Sequence, residues 1–300
     1  MNALLSRVGR PTQGRQRLTH KIGTALVVMV TGGAMAIGPA SSAKAAGPHP
    51  SGGARSPVSG PVTRPGADHA GSGLEGKLNN KPNRGSPHIA ASQPTGLDVS
   101  SWQGKVNWQS VRANGADFAY VKATEGTGYT NPYFSQQYVG SSNVGLLRGA
   151  YHFALPDRSS GAAQADYFAD HGGAWSADGQ TLPGALDIEY NPYGPTCYGK
   201  SDSGMVSWIR SFIDEYHART GRWAVIYTTT DWWKRCTGNY AGFASNDPLW
   251  IARYAGSAGE LPAGWPYYAF WQYNDSGTFP GDQDVFNGSL SRLRVLANNG

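Results

Sequence analysis

Residues 95–300 predict an α/β fold, a TIM-like (β/α) barrel from which helices are missing in the C-terminal half. Three observations point to it. Eight short apolar runs follow one another: 96–100, 118–123, 147–154, 184–189, 223–228, 248–253, 268–273 and a last one near 283–286. Amphipathic stretches separate the early runs and thin out after Tyr227. Only 15% of the chain is charged, too little for a coiled coil or a long helical array.

Each run is short, apolar and bordered by turn residues, as a strand buried on both faces should be. Helices are expected over about 107–114, 131–141, 160–171 and 203–219. The last has the plainest pattern. Met205, Val206, Ile209, Phe212, Ile213 and Tyr216 recur at helical spacing, Arg210, Asp214 and Arg219 lie opposite, and Gly221 follows as a stop. Barrels of this type carry their chemistry at the C-terminal ends of the strands.

The chain ahead of the barrel has a different character. Residues 1–46 hold no acid, and Arg7, Arg10, Arg15, Arg17 and Lys21 precede an apolar stretch from Ile22 to Gly38. Ala43-Lys44-Ala45 then offers the small residues a signal peptidase accepts, so 1–45 reads as a cleaved secretory signal peptide. The stretch is interrupted by Thr31-Gly32-Gly33 and is short of the roughly 20 residues of a membrane span. No stable membrane insertion is therefore expected after cleavage, and the protein should be secreted and extracellular. Residues 46–94 are rich in Gly, Ser, Pro, Ala and Asn and poor in large apolar side chains. Such a composition cannot offset its chain entropy, so this stretch reads as a disordered linker.

Charge and cysteine content narrow the function. The formal charge of +5 conceals a balance of +9 over residues 1–95 and −4 over 96–300. The expected barrel is acidic, which argues against a nucleic-acid partner. Cys197 and Cys236 are the two cysteines, and in an exported chain such a pair is expected to form a disulfide. His152, His171 and His217 lack ligand spacing to either, so no metal and no cofactor is expected.

The strand ends collect acids and aromatics: Asp98, Tyr151, Asp187, Glu189, Tyr227, Trp271 and Asp284. Asp187 and Glu189 are the strongest local signal. Side chains two apart on a strand share a face, which would set the carboxyls about 6–7 Å apart in the barrel mouth. Two acids so close resist joint ionisation, and a protonated Glu beside an ionised Asp suits acid-catalysed glycosidic cleavage. A solvated acid pair is the plainer alternative. Tyr151, Tyr190, Tyr227, Trp250 and Trp271 are candidates for stacking on sugar faces, although aromatics of this kind also pack cores. His152 reads as a hydrogen-bonded core histidine. Gly281-Asp282-Gln283 reads as a turn.

The motifs GLDVSSWQG (96–104), VNW (106–108), FAYVKATEG (118–126), RGAYHF (148–153), LDIE (186–189), WAVIYT (223–228), LWIARY (249–254), FWQY (270–273) and GDQDVFNG (281–288) together resemble the family 25 glycoside hydrolases, the Chalaropsis-type lysozymes. The resemblance spans the whole expected barrel. It implies a flattened barrel and a secreted N-acetylmuramidase, expected to be monomeric, that cleaves the β-1,4 bond between N-acetylmuramic acid and N-acetylglucosamine in bacterial peptidoglycan. It also implies Glu189 as general acid, Asp187 as its partner carboxylate, Asp98 and Asp284 as the other cleft acids, and Tyr151 beside the cleavage point. Cys197 and Cys236 fall where secreted relatives carry a bridge. Two mechanisms stay open, one in which Asp187 orients the substrate's own 2-acetamido group and one in which a carboxylate attacks directly or activates water. A carbohydrate-binding module, a chitinase-like glycosidase and a structural adhesion protein are the competing readings.

Overall fold

The structure, a computed structural model, describes residues 68–75 and 87–298, all within one compact unit from Val58 to Gly300. The expected signal peptide of residues 1–45 lies outside the described residues. Among the described residues nine strands form one sheet: β1 Thr95–Val99, β2 Phe118–Glu125, β3 Tyr129–Thr130, β4 Leu147–Phe153, β5 Ala185–Asp187, β6 Val225–Thr228, β7 Leu249–Ala252, β8 Phe270–Asn274 and β9 Asp282–Phe286. The order β1-β9-β8-β7-β6-β5-β4-β2 closes through a β1–β2 pairing into an eight-stranded barrel, with β3 folded back on β2.

The strands from β1 to β8 that line the barrel run parallel, as expected. β9 does not: it is antiparallel to both β8 and β1. The seven residues between β8 and β9 are too few for a parallel crossover, which needs about a dozen. The stretch 281–283, expected to be a turn, instead has Asp282 and Gln283 opening β9.

Outside the barrel lie α2 Trp108–Ala113, α3 Phe134–Asn143, α4 Gly161–Phe168, α5 Asp202–Thr220, α6 Thr230–Thr237 and α7 Leu290–Ala297; a one-turn helix, α1 Ser72–Glu75, precedes β1. No helix joins β7 to β8 or β8 to β9, in line with the helix-poor second half. The Ser201 hydroxyl caps α5 by accepting from the Gly204 amide, and Gly221 ends it in the left-handed region with φ 69°. The buried face of α5 packs with outward-facing Leu186, Ile188, Ile226, Ile251 and Trp271.

Strand alternation divides the aromatics. Phe118, Tyr120, Tyr151, Tyr227, Trp250 and Phe270 belong to the cluster inside the barrel. The Trp250 ring lies 4.8 Å from those of both Tyr120 and Tyr227. The interior is thus a packed core closed beneath the mouth.

Cys197 and Cys236 form a disulfide that ties the loop after β5 to α6, across a sequence separation of 39. In the chain-entropy model a loop of this size contributes about 3–4 kcal/mol. The Cys197→Ala, Cys236→Ala variant is expected to lose that much in urea unfolding while keeping its native circular dichroism spectrum.

Candidate active site

β5 delivers the central acids. Asp187 is its last residue and Glu189 lies two further on, while Ile188 between them packs in the outer cluster. Both acids are buried at 1% exposure. Burial chiefly, with the Glu189 charge next, pushes Asp187 well above the usual carboxylate range. Burial likewise raises Glu189 to about 8, against the opposing effect of amides that donate to it. Those amides belong to Gly71, at 2.8 Å from Oε1, and Gly73, at 3.2 Å from Oε2. Neither Asp187 oxygen has a hydrogen-bond partner among the described residues, although both are buried.

β1 and β9 bring in further acids. Asp98 faces Asp282 in register, and Asp284 faces Gly96. Burial raises Asp98 to about 6 and lifts Asp284 well above its usual value. Trp250 Nε1 donates to Asp284 Oδ1 at 2.8 Å. Among the described residues Asp284 Oδ2 meets no N–H or hydroxyl donor, and its carboxyl pairs with that of Asp98. A proton kept on Asp284 and shared with Asp98 satisfies both.

One buried cation faces these acids. Lys122 Nζ lies 2.6 Å from Glu125 Oε2, and both side chains are fully buried. Residues three apart on a regular strand point to opposite faces. A register shift against β4 between Lys122 and Thr124 turns both into the mouth. Tyr193 donates its hydroxyl to Glu125 Oε1 at 2.8 Å, and burial raises Glu125 to about 7.

Gln272 on β8 ties the wall together. Its Oε1 accepts from the hydroxyls of Tyr227 at 2.8 Å and Tyr254 at 3.1 Å. Its Nε2 donates to Asp98 Oδ2 at 2.8 Å and Asp282 Oδ2 at 3.0 Å.

The structure groups Glu189, Asp187, Asp98, Asp284, Tyr151 and Tyr227 at this end of the barrel. The aromatics expected to stack on sugars fare differently. Trp250 lies beneath the acids, fully buried, and holds Asp284. Tyr227 is fully buried and bound to Gln272. Tyr190 lies at the rim, where its hydroxyl donates to Asp231 at 2.8 Å. Trp271 points the other way: its ring packs in the outer cluster and its Nε1 donates to the Arg253 carbonyl. Alternation explains this, because Phe270 and Gln272 take the inward positions. Sequence reasoning missed Lys122, Glu125, Tyr254 and Asp282 as site residues, and it placed Gln272 at the end of its strand without a role. Lys122 stands two after inward Tyr120 and Gln272 two after inward Phe270, so parity was the available signal. His152 is a core residue, placed between Thr124 Oγ1 at 2.7 Å and Gln164 Oε1 at 2.9 Å, and burial lowers it to about 4 so that it stays neutral.

Among the described residues, no group of three or more His, Cys, Asp and Glu is arranged to hold a metal ion, and no helix is long and apolar enough to cross a membrane. What the site does offer is a buried carboxyl that burial raises to about 8, next to a second carboxyl that lacks a donor among the described residues.

Comparison with known proteins agrees with this chemistry. The family model "Glycosyl hydrolases family 25" matches residues 97–282. The chain is 53% identical to "Lysozyme M1" of Streptomyces globisporus over 209 residues, which are 68% of this chain and 71% of that protein. It is 49% identical to the "N,O-diacetylmuramidase" of Chalaropsis sp over 206 residues, 67% of this chain and 98% of that protein. Among solved structures, a muramidase from Acremonium alcalophilum superposes with a TM-score of 0.68 at 59% identity, covering 69% of this chain and all of that one.

Proposed function

The chain belongs to family 25 of the glycosyl hydrolases, and we propose from that premise that it is a secreted muramidase. Its substrate would be bacterial peptidoglycan, cut at the β-1,4 bond between N-acetylmuramic acid and N-acetylglucosamine. The observation that carries the reading is the buried Glu189, which burial raises to about 8, next to Asp187, whose two oxygens lack a donor among the described residues. The names of the relatives supply the substrate class.

In this scheme Glu189 gives its proton to the glycosidic oxygen as the C1–O bond breaks. The carbonyl oxygen of the substrate's 2-acetamido group attacks C1 from the opposite face and forms an oxazolinium ring. Asp187 accepts the acetamido N–H. That donor, and the positive charge growing on the acetamido group, both favour its carboxylate. Glu189, now a carboxylate, takes a proton from water as the water opens the ring at C1, and the configuration is retained. Asp98 and Asp284 bound the cleft on the far side, and Tyr151 reaches it with its hydroxyl. No step calls for a metal.

Export rests on residues 1–45 and is tested by the N-terminal sequence of the protein in culture medium. The activity is tested by incubating the purified chain with peptidoglycan, reducing the products with borohydride and identifying the new end by mass spectrometry. Muramitol is expected. Glucosaminitol would place the cut at the other bond, and wall binding without new ends would make the domain a binding module.

Gln272 acts through others: it fixes Asp98, Tyr227 and Tyr254. Gln272→Leu leaves these buried polar groups short of partners, each at a cost of roughly 1–3 kcal/mol. It is expected to lower kcat at least tenfold and to lower the melting temperature. Gln272→Glu, which keeps the acceptor, should hold the tyrosines but repel Asp98, so its activity should recover as the pH is lowered.

A further inference from the structure

We propose that residues 68–75 are a built-in inhibitor which lies in the saccharide position over Glu189, so that the chain folds as a closed precursor. The proposal rests on the glycosidase reading of the cleft and concerns its regulation.

The segment precedes the part matched by the family model, which begins at residue 97. It lies within the stretch 46–94 that the composition reads as a linker. Asp68, His69, Ala70 and Gly71 are all buried, and Ala70 joins the barrel's inner cluster at 0% exposure. A short polar segment has no core of its own, but here it uses the barrel's.

Its backbone is held by the groups of the proposed catalytic cleft. Lys122 Nζ donates to the Asp68 carbonyl. The Ala70 amide donates to the Tyr151 hydroxyl at 3.4 Å, and Gln272 Nε2 donates to the Ala70 carbonyl at 3.0 Å. The Gly71 and Gly73 amides each take one oxygen of Glu189. The segment therefore blocks the cleft in two ways. It fills the place where a sugar would approach Glu189. It also donates two N–H groups into a carboxyl that must itself donate, and such bonds favour the carboxylate.

The local sequence fits this seat. Gly71 adopts φ +96°, and a Cβ there would collide with the Tyr254 hydroxyl. A Cβ on Gly73 would lie 2.5 Å from Glu189 Oε2 and 2.8 Å from Tyr190 Cβ. Ala-Gly-Ser-Gly is thus a run small enough to pass between Glu189, Tyr190 and Tyr254. At the rim the His69 ring stacks against Trp102, with 6.5 Å between centroids. A groove of about 490 Å³ lies at the opposite end of the barrel, by Leu249, Ala269 and Phe286, away from every acid of the cleft.

Departure of the segment, by proteolysis or by competition from a glycan, would open Glu189 to substrate.

The test compares the full chain with the Gly71→Val, Gly73→Val variant and with Ala70→Asp, which sets a further carboxyl among the cleft acids. None of these residues belongs to the barrel. Initial rates of reducing-end release from peptidoglycan and calorimetric binding of tri-N-acetylchitotriose are the readouts. Both variants are expected to be at least tenfold faster and to bind the trisaccharide at least tenfold more tightly. A synthetic peptide of residues Asp68–Leu74 should inhibit the variants, and the same peptide with valine at both glycine positions should not. Rates and affinities equal to or below those of the full chain in both variants would overturn the inhibitor and leave the hydrolase reading standing. Tighter sugar binding without turnover in any form would leave the inhibitor standing and overturn the hydrolase reading.

Discussion

Glu189→Gln is expected to lower kcat on peptidoglycan by about 10³-fold or more, within and somewhat beyond the 10²–10⁴ usual for a general acid acting on a poor leaving group. Glutamine keeps the shape of the side chain and removes only the transferable proton. The barrel should be unaffected, because the carboxyl's partners among the described groups are the Gly71 and Gly73 amides; the glutamine oxygen accepts one of them and its NH2 faces the other, a loss confined to residues 68–75. Circular dichroism should therefore match the parent. The same residue sets the alkaline limb of the pH profile. Burial raises Glu189 to about 8. The acid is the active form, so kcat should fall as the pH rises through the value that Glu189 takes once the Gly71 and Gly73 amides have left it. Residual activity of Glu189→Gln should lack this limb.

Asp187→Asn carries the second large effect. The amide keeps one acceptor oxygen but cannot carry the negative charge that stabilises the oxazolinium ring. Loss of preorganised charge at a buried site is expected to lower kcat by roughly 10²–10³-fold. KM for peptidoglycan should change little, since the charge matters as the ring forms. The first-formed anomer, followed by proton NMR, should be the retained one in the parent. Inversion would replace the acetamido scheme with direct attack by water, and an unchanged kcat in Asp187→Asn would remove Asp187 from the chemistry.

The eight barrel strands were legible in the sequence to within a few residues. Runs such as Val225–Thr228 and Leu249–Ala252 are buried on both faces, so they read as apolar throughout. The acid pair on β5 was legible because Asp187 and Glu189 interrupt such a run. The direction of β9 was not, since periodicity carries no sense of direction; the short β8–β9 connection was the available clue. α6 was hidden because it spans only eight residues, about two helical turns, and shows just Trp232, Trp233 and Cys236 as apolar positions, too few to establish a helical period. Glu125 was hidden by the register shift after Lys122 in β2, which no local pattern announces, whereas Lys122 keeps the parity of inward Tyr120. Residues 68–75 were hidden for a different reason: composition reports whether a segment can build a core, not whether it can borrow one.

The account depends on Glu189 holding its proton at neutral pH. Selective ¹³C labelling of glutamate carboxyls, with Glu189 assigned by its absence in Glu189→Gln, allows its titration to be followed directly by NMR. An inflection near 8 is predicted. An inflection at or below 4.5, the ordinary glutamate value, would leave the cleft without its acid and contradict the account.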